Sequence, residues 1–171
     1  MQAMRLGFQA MLLNPICLSF IAFVLVAVAD VPVVFAENGD YPVGDVSRQE
    51  LFHDHPAFKS GFDEYSVDAL QFALPTALEV QVMFGTWCHD SEREVPRLLK
   101  ILDALGVGDE RVTLIALDWD KREPRGRAID AGVKFTPTFI FYLDGREAGR
   151  IVERPEVSLE QDIERIVSSQ P

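Results

Sequence analysis

Between residues 77 and 105 the apolar residues change period once, and that change limits the folds open to the chain. In "ALEVQVMFG", residues 77 to 85, Leu78, Val80, Val82 and Phe84 alternate, as in a strand with one covered face. From Ser91 onward Val95, Leu98, Leu99, Leu102 and Leu105 recur at helical spacing, and Gly106 stands where the helix would end. Pro96 falls inside that helix, where its ring and missing N–H predict a kink. A strand leading through a short loop into a helix is the first half of a βαβ unit. "RVTLIALDW", 111 to 119, reads as a second buried strand, and "EPRGRAIDAG" as a short helix ending at Gly132.

Beyond it, "TPTFIFYL", 136 to 143, the pair Asp144-Gly145 and "REAGRIVE" form a hairpin with Asp-Gly at its turn. Ser158 and Gln161 have the spacing of a capping box before Leu159, Ile163 and Ile166, which share one helical face. The order strand, helix, strand, helix, hairpin, helix predicts an α/β fold: a central mixed sheet flanked by helices, closed by a C-terminal β-hairpin and helix. A chain of 171 residues has room for one such core.

The first 36 residues are of another kind. Arg5 is their one basic residue, an apolar run extends from Leu18 to Ala29, and "VFA" precedes the polar "ENGD". That order predicts a secretory signal peptide, residues 1–36, with cleavage after Ala36. Asp30 and Pro32 interrupt the run and leave it short of the ~20 residues that span a bilayer. A retained anchor is the alternative, and membrane contact is expected only in that case. Pro15 and Ile16 precede Cys17 where a lipid attachment site would have small residues, so no lipoprotein is expected.

Removing that segment takes away Arg5 and Asp30 and leaves the net charge at -11. So acidic a surface argues against nucleic acid as a partner, because phosphates reward basic patches. The cut also removes Cys17 and leaves Cys88 alone. A single Cys in an exported protein is a free thiol or an intermolecular one.

Residues 37 to 46, "ENGDYPVGDV", read as a flexible leader outside the core, and 47 to 73 as one or two short helices broken near Pro56 and Gly61. The expected organisation is a signal at 1–36, an N-terminal extension at 37–69 and a folded domain at 70–171.

The chemistry concentrates in "FGTWCHDSEREVPRL", 84 to 98. Cys88 falls where a strand's loop meets a helix N-terminus, and there the backbone N–H groups and the helix dipole favour an anion. A thiolate at that place is a nucleophile. His89, when protonated, would assist it, whereas Asp90, Glu92 and Glu94 oppose it by like charge while also suiting the start of a helix. Trp87 either shields the sulfur and meets a partner or is ordinary packing.

These residues carry a resemblance. Trp87 to Pro96 resembles the active-site region of the thioredoxin family, in which a Trp-Cys pair opens a helix and a Pro eight residues after the Cys kinks it. "GVKFTPTFIFYLDG" resembles that family's second signature, a cis-proline that begins a strand and faces the catalytic Cys. The resemblance covers roughly residues 70 to 168. It implies a thioredoxin-like fold, with Pro137 as the cis residue and the Thr136-Pro137-Thr138 backbone facing Cys88 and pairing with an extended substrate.

The departures from that pattern bear on function. The family's resolving Cys is Ser91 here, and the buried acid that many members carry six residues before the Cys is Val82. A dithiol enzyme breaks its mixed disulfide with the second thiol. Ser91 cannot do that, although it could donate a hydrogen bond to the Cys88 thiolate.

Three readings follow. The one adopted is a monothiol oxidoreductase, with Cys88 and Ser91 as catalytic residues, and Trp87, His89, Thr136 and Pro137 meeting the substrate. The second is a binding or chaperone-like module that captures partners through Cys88 or carries it incidentally. The third is a thiol peroxidase passing through a sulfenic acid, against which Gly85 stands where that chemistry places Thr or Ser. No metal or organic cofactor is implied. Glutathione or a protein thiol would serve as co-substrate, disulfide-containing or glutathionylated proteins as partners, and a periplasm or the exterior as the setting.

Two other clusters are weaker. His53, Asp54 and His55, with His89, invite a metal site, but solvated or capping residues before Pro56 are the simpler reading. "DWDKREPRGR", 118 to 127, reads as a solvated loop leading into a helix.

Overall fold

Alternating side chains on the central strands divide the interior into two unequal layers. The computed structural model describes residues 34–35, 41–67, 70 and 72–169. The elements run β1 (Val34–Phe35), β2 (Pro42–Asp45), α1 (Arg48–Asp54), α2 (Pro56–Glu64), β3 (Leu78–Phe84), α3 (His89–Ala104), β4 (Val112–Ala116), α4 (Arg127–Asp130), β5 (Thr138–Leu143), β6 (Arg146–Val152) and α5 (Leu159–Ser168). They form a mixed sheet in the order β1-β2-β4-β3-β5-β6. β3 and β4 are parallel, with Phe84 opposite Ala116, and the other pairings are antiparallel.

Leu78, Val80, Val82 and Phe84 of β3 point into the main core with Val95, Leu98, Leu99 and Leu102 of α3 and Leu159 and Ile163 of α5. Met83 points the other way, to Ile115 and Ile140, under Ala128 of α4. A fully buried Leu or Phe contributes roughly 1.5–3 kcal/mol, so the larger layer dominates stability. α3 ends as its sequence requires. Gly106 has φ +74, its N–H reaches Asp103 O, and Val107 N–H reaches Leu102 O at 2.9 Å, the two bonds of a Schellman motif. Asp144 and Gly145 both have positive φ, giving the twisted two-residue turn that joins β5 to β6.

The leader expected over 37 to 46 is corrected at its end. Residues 42–45 are a strand, Gly44 pairs with Ala116, and Val43 and Val46 are buried. The edge of β4 supplies pairing that local composition does not predict, and Gly44 adopts φ +111, which favours glycine. Within 41–67, Leu51 and Phe58 are fully buried in the main core, where Phe58 meets Phe84 at 5.8 Å between ring centroids. The break between α1 and α2 falls at His55-Pro56 as expected, but α2 runs through Gly61 without interruption. α3 begins at His89, directly after Cys88.

The expected signal segment lies outside the described residues apart from Val34 and Phe35, which pair with Val43 and Pro42. Among the described residues no helix is long and apolar enough to cross a membrane.

Candidate functional site

Cys88 is the N-cap of α3, with extended φ -100° and ψ 119°, and its carbonyl accepts the first helical bond from Glu92 N–H at 2.9 Å. The half-buried side chain is not spent on capping. Its Sγ–H donates instead to Thr136 O at 3.3 Å. Thr136-Pro137 is cis, Thr136, Pro137 and Thr138 are buried, and Thr138 Oγ1 donates to Phe135 O at 2.8 Å. Glu153 N–H, just past β6, donates to Pro137 O at 2.7 Å. The two sequence motifs therefore meet at the sulfur, 48 residues apart in the chain.

Ser91 is fully buried one turn into α3, and its Oγ accepts from Gly85 N–H at 3.3 Å. Its hydrogen-bond partner is thus the loop that carries Trp87 rather than the Cys88 sulfur. Val82 lies among apolar side chains of the main core.

The acidic residues at the start of α3 are largely neutralised by neighbours. Asp90 sits between Arg93 at 2.7 Å and Arg154 at 3.2 Å. Glu94 is buried against Arg93 and Arg97, and its hydrogen bond is the main cause holding the Arg93 guanidinium above its usual pKa. His89 projects into solvent and meets Glu92 at 3.2 Å. Like-charge opposition to a thiolate is weaker than the sequence suggests, because each carboxylate already faces a cation or an imidazole.

Trp87 is held by three contacts. Its Nε1–H donates to Leu117 O at 3.0 Å, its ring stacks on Trp119 with centroids 3.9 Å apart at 20°, and Lys121 Nζ lies 5.0 Å from its centroid. Tyr41 meets the edge of Trp119 at 6.1 Å. Gly85 makes room for this arrangement, since a Cβ there would stand 2.5 Å from Trp87 Cε2.

Sequence reasoning missed Trp119, Tyr41 and Arg154. A signal for Trp119 existed: β3 and β4 are parallel with Phe84 opposite Ala116, and each is followed three residues later by a Trp. Equal offsets from a paired position put both indoles at the same end of the sheet.

The loop from 118 to 127, expected to be solvated, contains a buried carboxylate. Glu123 accepts from Arg125 N–H at 2.9 Å and from Arg127 Nη2 at 3.1 Å, and Arg127 Nη1 continues to Asp45 at 2.6 Å. The His53-Asp54-His55 cluster does not converge on the sulfur. His53 is exposed and pairs with Asp54, while His55 packs against Phe58, where burial lowers its pKa and Asp54 and Glu92 partly oppose that. Among the described residues no three His, Cys, Asp or Glu side chains gather as a metal site.

A Cys that opens the helix after β3, a parallel β4, a cis-proline entering β5 against that Cys, a hairpin and a closing helix make up one arrangement. The fold is thioredoxin-like. Solved structures of similar fold include thioredoxin f2 of Chlamydomonas reinhardtii, 18% identical over 59% of this chain and 84% of that one, with TM-score 0.42. Thioredoxin O2 of Arabidopsis thaliana in its oxidised state is 20% identical over 66% and 89%, TM-score 0.40. Thioredoxin 2 of Pseudomonas aeruginosa PAO1 in its reduced form is 24% identical over 63% and 99%, TM-score 0.38. No family model and no curated protein matches the sequence.

Proposed function

We propose that the protein is a monothiol thiol-disulfide exchange protein, with Cys88 as its nucleophile. The observation that carries this reading is the Cys88 sulfur at the N-cap of α3, 3.3 Å from Thr136 O beside cis-Pro137, with Ser91 where a resolving thiol would stand. The Cys88 thiolate attacks one sulfur of a partner disulfide. A new S–S bond joins Cys88 to the partner as the old bond breaks, and the departing sulfur leaves as a thiolate that takes a proton. An external thiolate then attacks the partner's sulfur in the mixed disulfide. Cys88 leaves as a thiolate, and the number of S–S bonds is unchanged across the cycle.

The external thiol is glutathione or a protein thiol, and the partners are disulfide-containing or glutathionylated proteins. The leader sequence supports an exported setting, periplasmic or secreted. Trp87 and His89, which flank Cys88 in the chain, meet the partner, and the Thr136-Pro137 backbone receives an extended partner segment.

The test is mass spectrometry of reduced protein mixed with 2-hydroxyethyl disulfide and then with free thiol. An adduct confined to Cys88 that the thiol releases is the expected result. Absence of an adduct, or its formation at the same rate after unfolding in urea, would remove the case for a built exchange site.

A further inference from the structure

Trp119 is held in place yet left largely open to solvent. One face lies on Trp87 at 3.9 Å and Tyr41 meets its edge, but 55% of the residue remains exposed. A second exposed aromatic, Phe135 at 52%, immediately precedes Thr136, whose carbonyl contacts the sulfur. Isolated exposed apolar residues are ordinary on a protein surface. Here two of them are each one residue, in sequence or in stacking, from the groups that touch Cys88 or adjoin it.

The charges beside this surface are mixed, and several are already engaged. Arg93 and Arg154 are drawn onto Asp90, and Lys121 folds back to donate to Trp119 O at 2.7 Å. Asp118, which accepts from Arg122 N–H at 2.8 Å, and Asp120 flank Trp119; Asp120 is exposed, as are Arg122 and Lys134, in a chain of net charge -11. A small thiol such as glutathione offers no large apolar side chain to the open indole. A polypeptide offering an apolar side chain and a positive charge finds an indole and the exposed Asp120 carboxylate.

We infer that Trp119, with Asp120, selects the partner of Cys88: a disulfide-bearing polypeptide segment that carries an aromatic or large apolar side chain next to its cysteine and a basic residue beside that. This rests on the exchange reading above and names its partner class. The side chain packs on the outer part of the Trp119 indole while its neighbouring cysteine reaches the sulfur. Because Trp119 is already fixed by its stack on Trp87, little conformational entropy is lost when a partner arrives.

The experiment follows formation of the Cys88–peptide adduct from two peptides, each presented as a mixed disulfide with 2-mercaptoethanol. One carries Phe and Lys beside its cysteine and the other Ser and Glu. The first is expected to react about 5- to 10-fold faster, the scale of one aromatic contact plus a favourable charge. Trp119→Ala should bring that ratio close to one, and Asp120→Lys should lower it by removing the charge preference. A ratio near one in the unaltered protein, or a ratio that Trp119→Ala leaves intact, overturns the inference. The symmetrical 2-hydroxyethyl disulfide offers no side chain to Trp119. If it modifies Cys88 while the two peptides react alike, selection by Trp119 is lost and exchange survives; if it too fails, both are lost.

Discussion

Gly61 of α2 lies against the ring of Pro96 in α3, so closely that a Cβ on Gly61 would stand 2.9 Å from Pro96 Cγ and 3.5 Å from Glu92 O. The two positions the sequence marks as helix disruptors are therefore one packing contact. Gly61→Ala tests which effect wins. In an open helix it would stabilise by about 1 kcal/mol, but against a rigid ring the overpacking is expected to cost about 1–3 kcal/mol. Urea unfolding should show net destabilisation. A higher midpoint would mean that the helices separate without penalty.

Replacing Ser91 with Cys supplies the second thiol that the site lacks. Ser91 is buried and its hydroxyl bonds to Gly85 N–H, and Cys fills nearly the same volume. Insulin reduction with dithiothreitol should appear or rise clearly above the unaltered protein, and the oxidised variant should lose its free thiol titre. If neither changes, the sulfur environment is unsuited to exchange. In protein lacking residues 1–36, and so Cys17, Cys88→Ser should abolish every adduct.

Gly85→Ala should disturb the aromatic stack without touching the sulfur directly. The added Cβ would fall 2.5 Å from Trp87 Cε2, so the indole must leave its place over the loop and lose its bond to Leu117 O. A shift in tryptophan fluorescence and loss of coupled-indole signal in near-ultraviolet circular dichroism are expected. Stability should fall by about 1–3 kcal/mol. Unchanged spectra would show that the stack adapts.

Glu123 links acidity to the attachment of β2. Burial by itself would raise its pKa, but hydrogen bonds from Arg127 and from the Arg125 and Arg127 N–H groups outweigh burial and hold the carboxyl below its ordinary value of 4.5. A depressed folded-state pKa means that the unfolded chain binds the proton more readily. The contribution is thus complete above about pH 4.5 and is lost as pH falls through the lower, folded value. Glu123→Gln should cost about 1–2 kcal/mol near neutral pH and flatten the acid limb of stability. Equal urea midpoint losses for both proteins between about pH 7 and about pH 3.5 would exclude that role.

What the sequence disclosed and what it concealed divide along local and non-local physics. Leu78 to Phe84 alternate, α3 has its apolar stripe, and Asp144-Gly145 supplies its own turn chemistry, so these elements are legible from neighbours in the chain. β2 is not, because Pro42 and Gly44 disfavour a strand until β4 offers an edge to pair with. Gly61 misled because its reason for being glycine lies in another helix. At the site, the meeting of Cys88 with Thr136-Pro137 followed from the resemblance, whereas the stack of Trp87 on Trp119 needed the register of β3 against β4.

The contact from Cys88 to Thr136 O has a consequence for timing. The sulfur occupies that oxygen only while it carries a hydrogen. In any disulfide formed at Cys88 the hydrogen is gone, so the oxygen loses its donor at the moment another backbone is brought alongside. Pro137 O, by contrast, is already taken by Glu153 N–H. Under the proposed exchange, covalent capture would vacate a seat at Thr136 for a visiting amide, and the return to free thiol would fill that seat again as the visitor leaves.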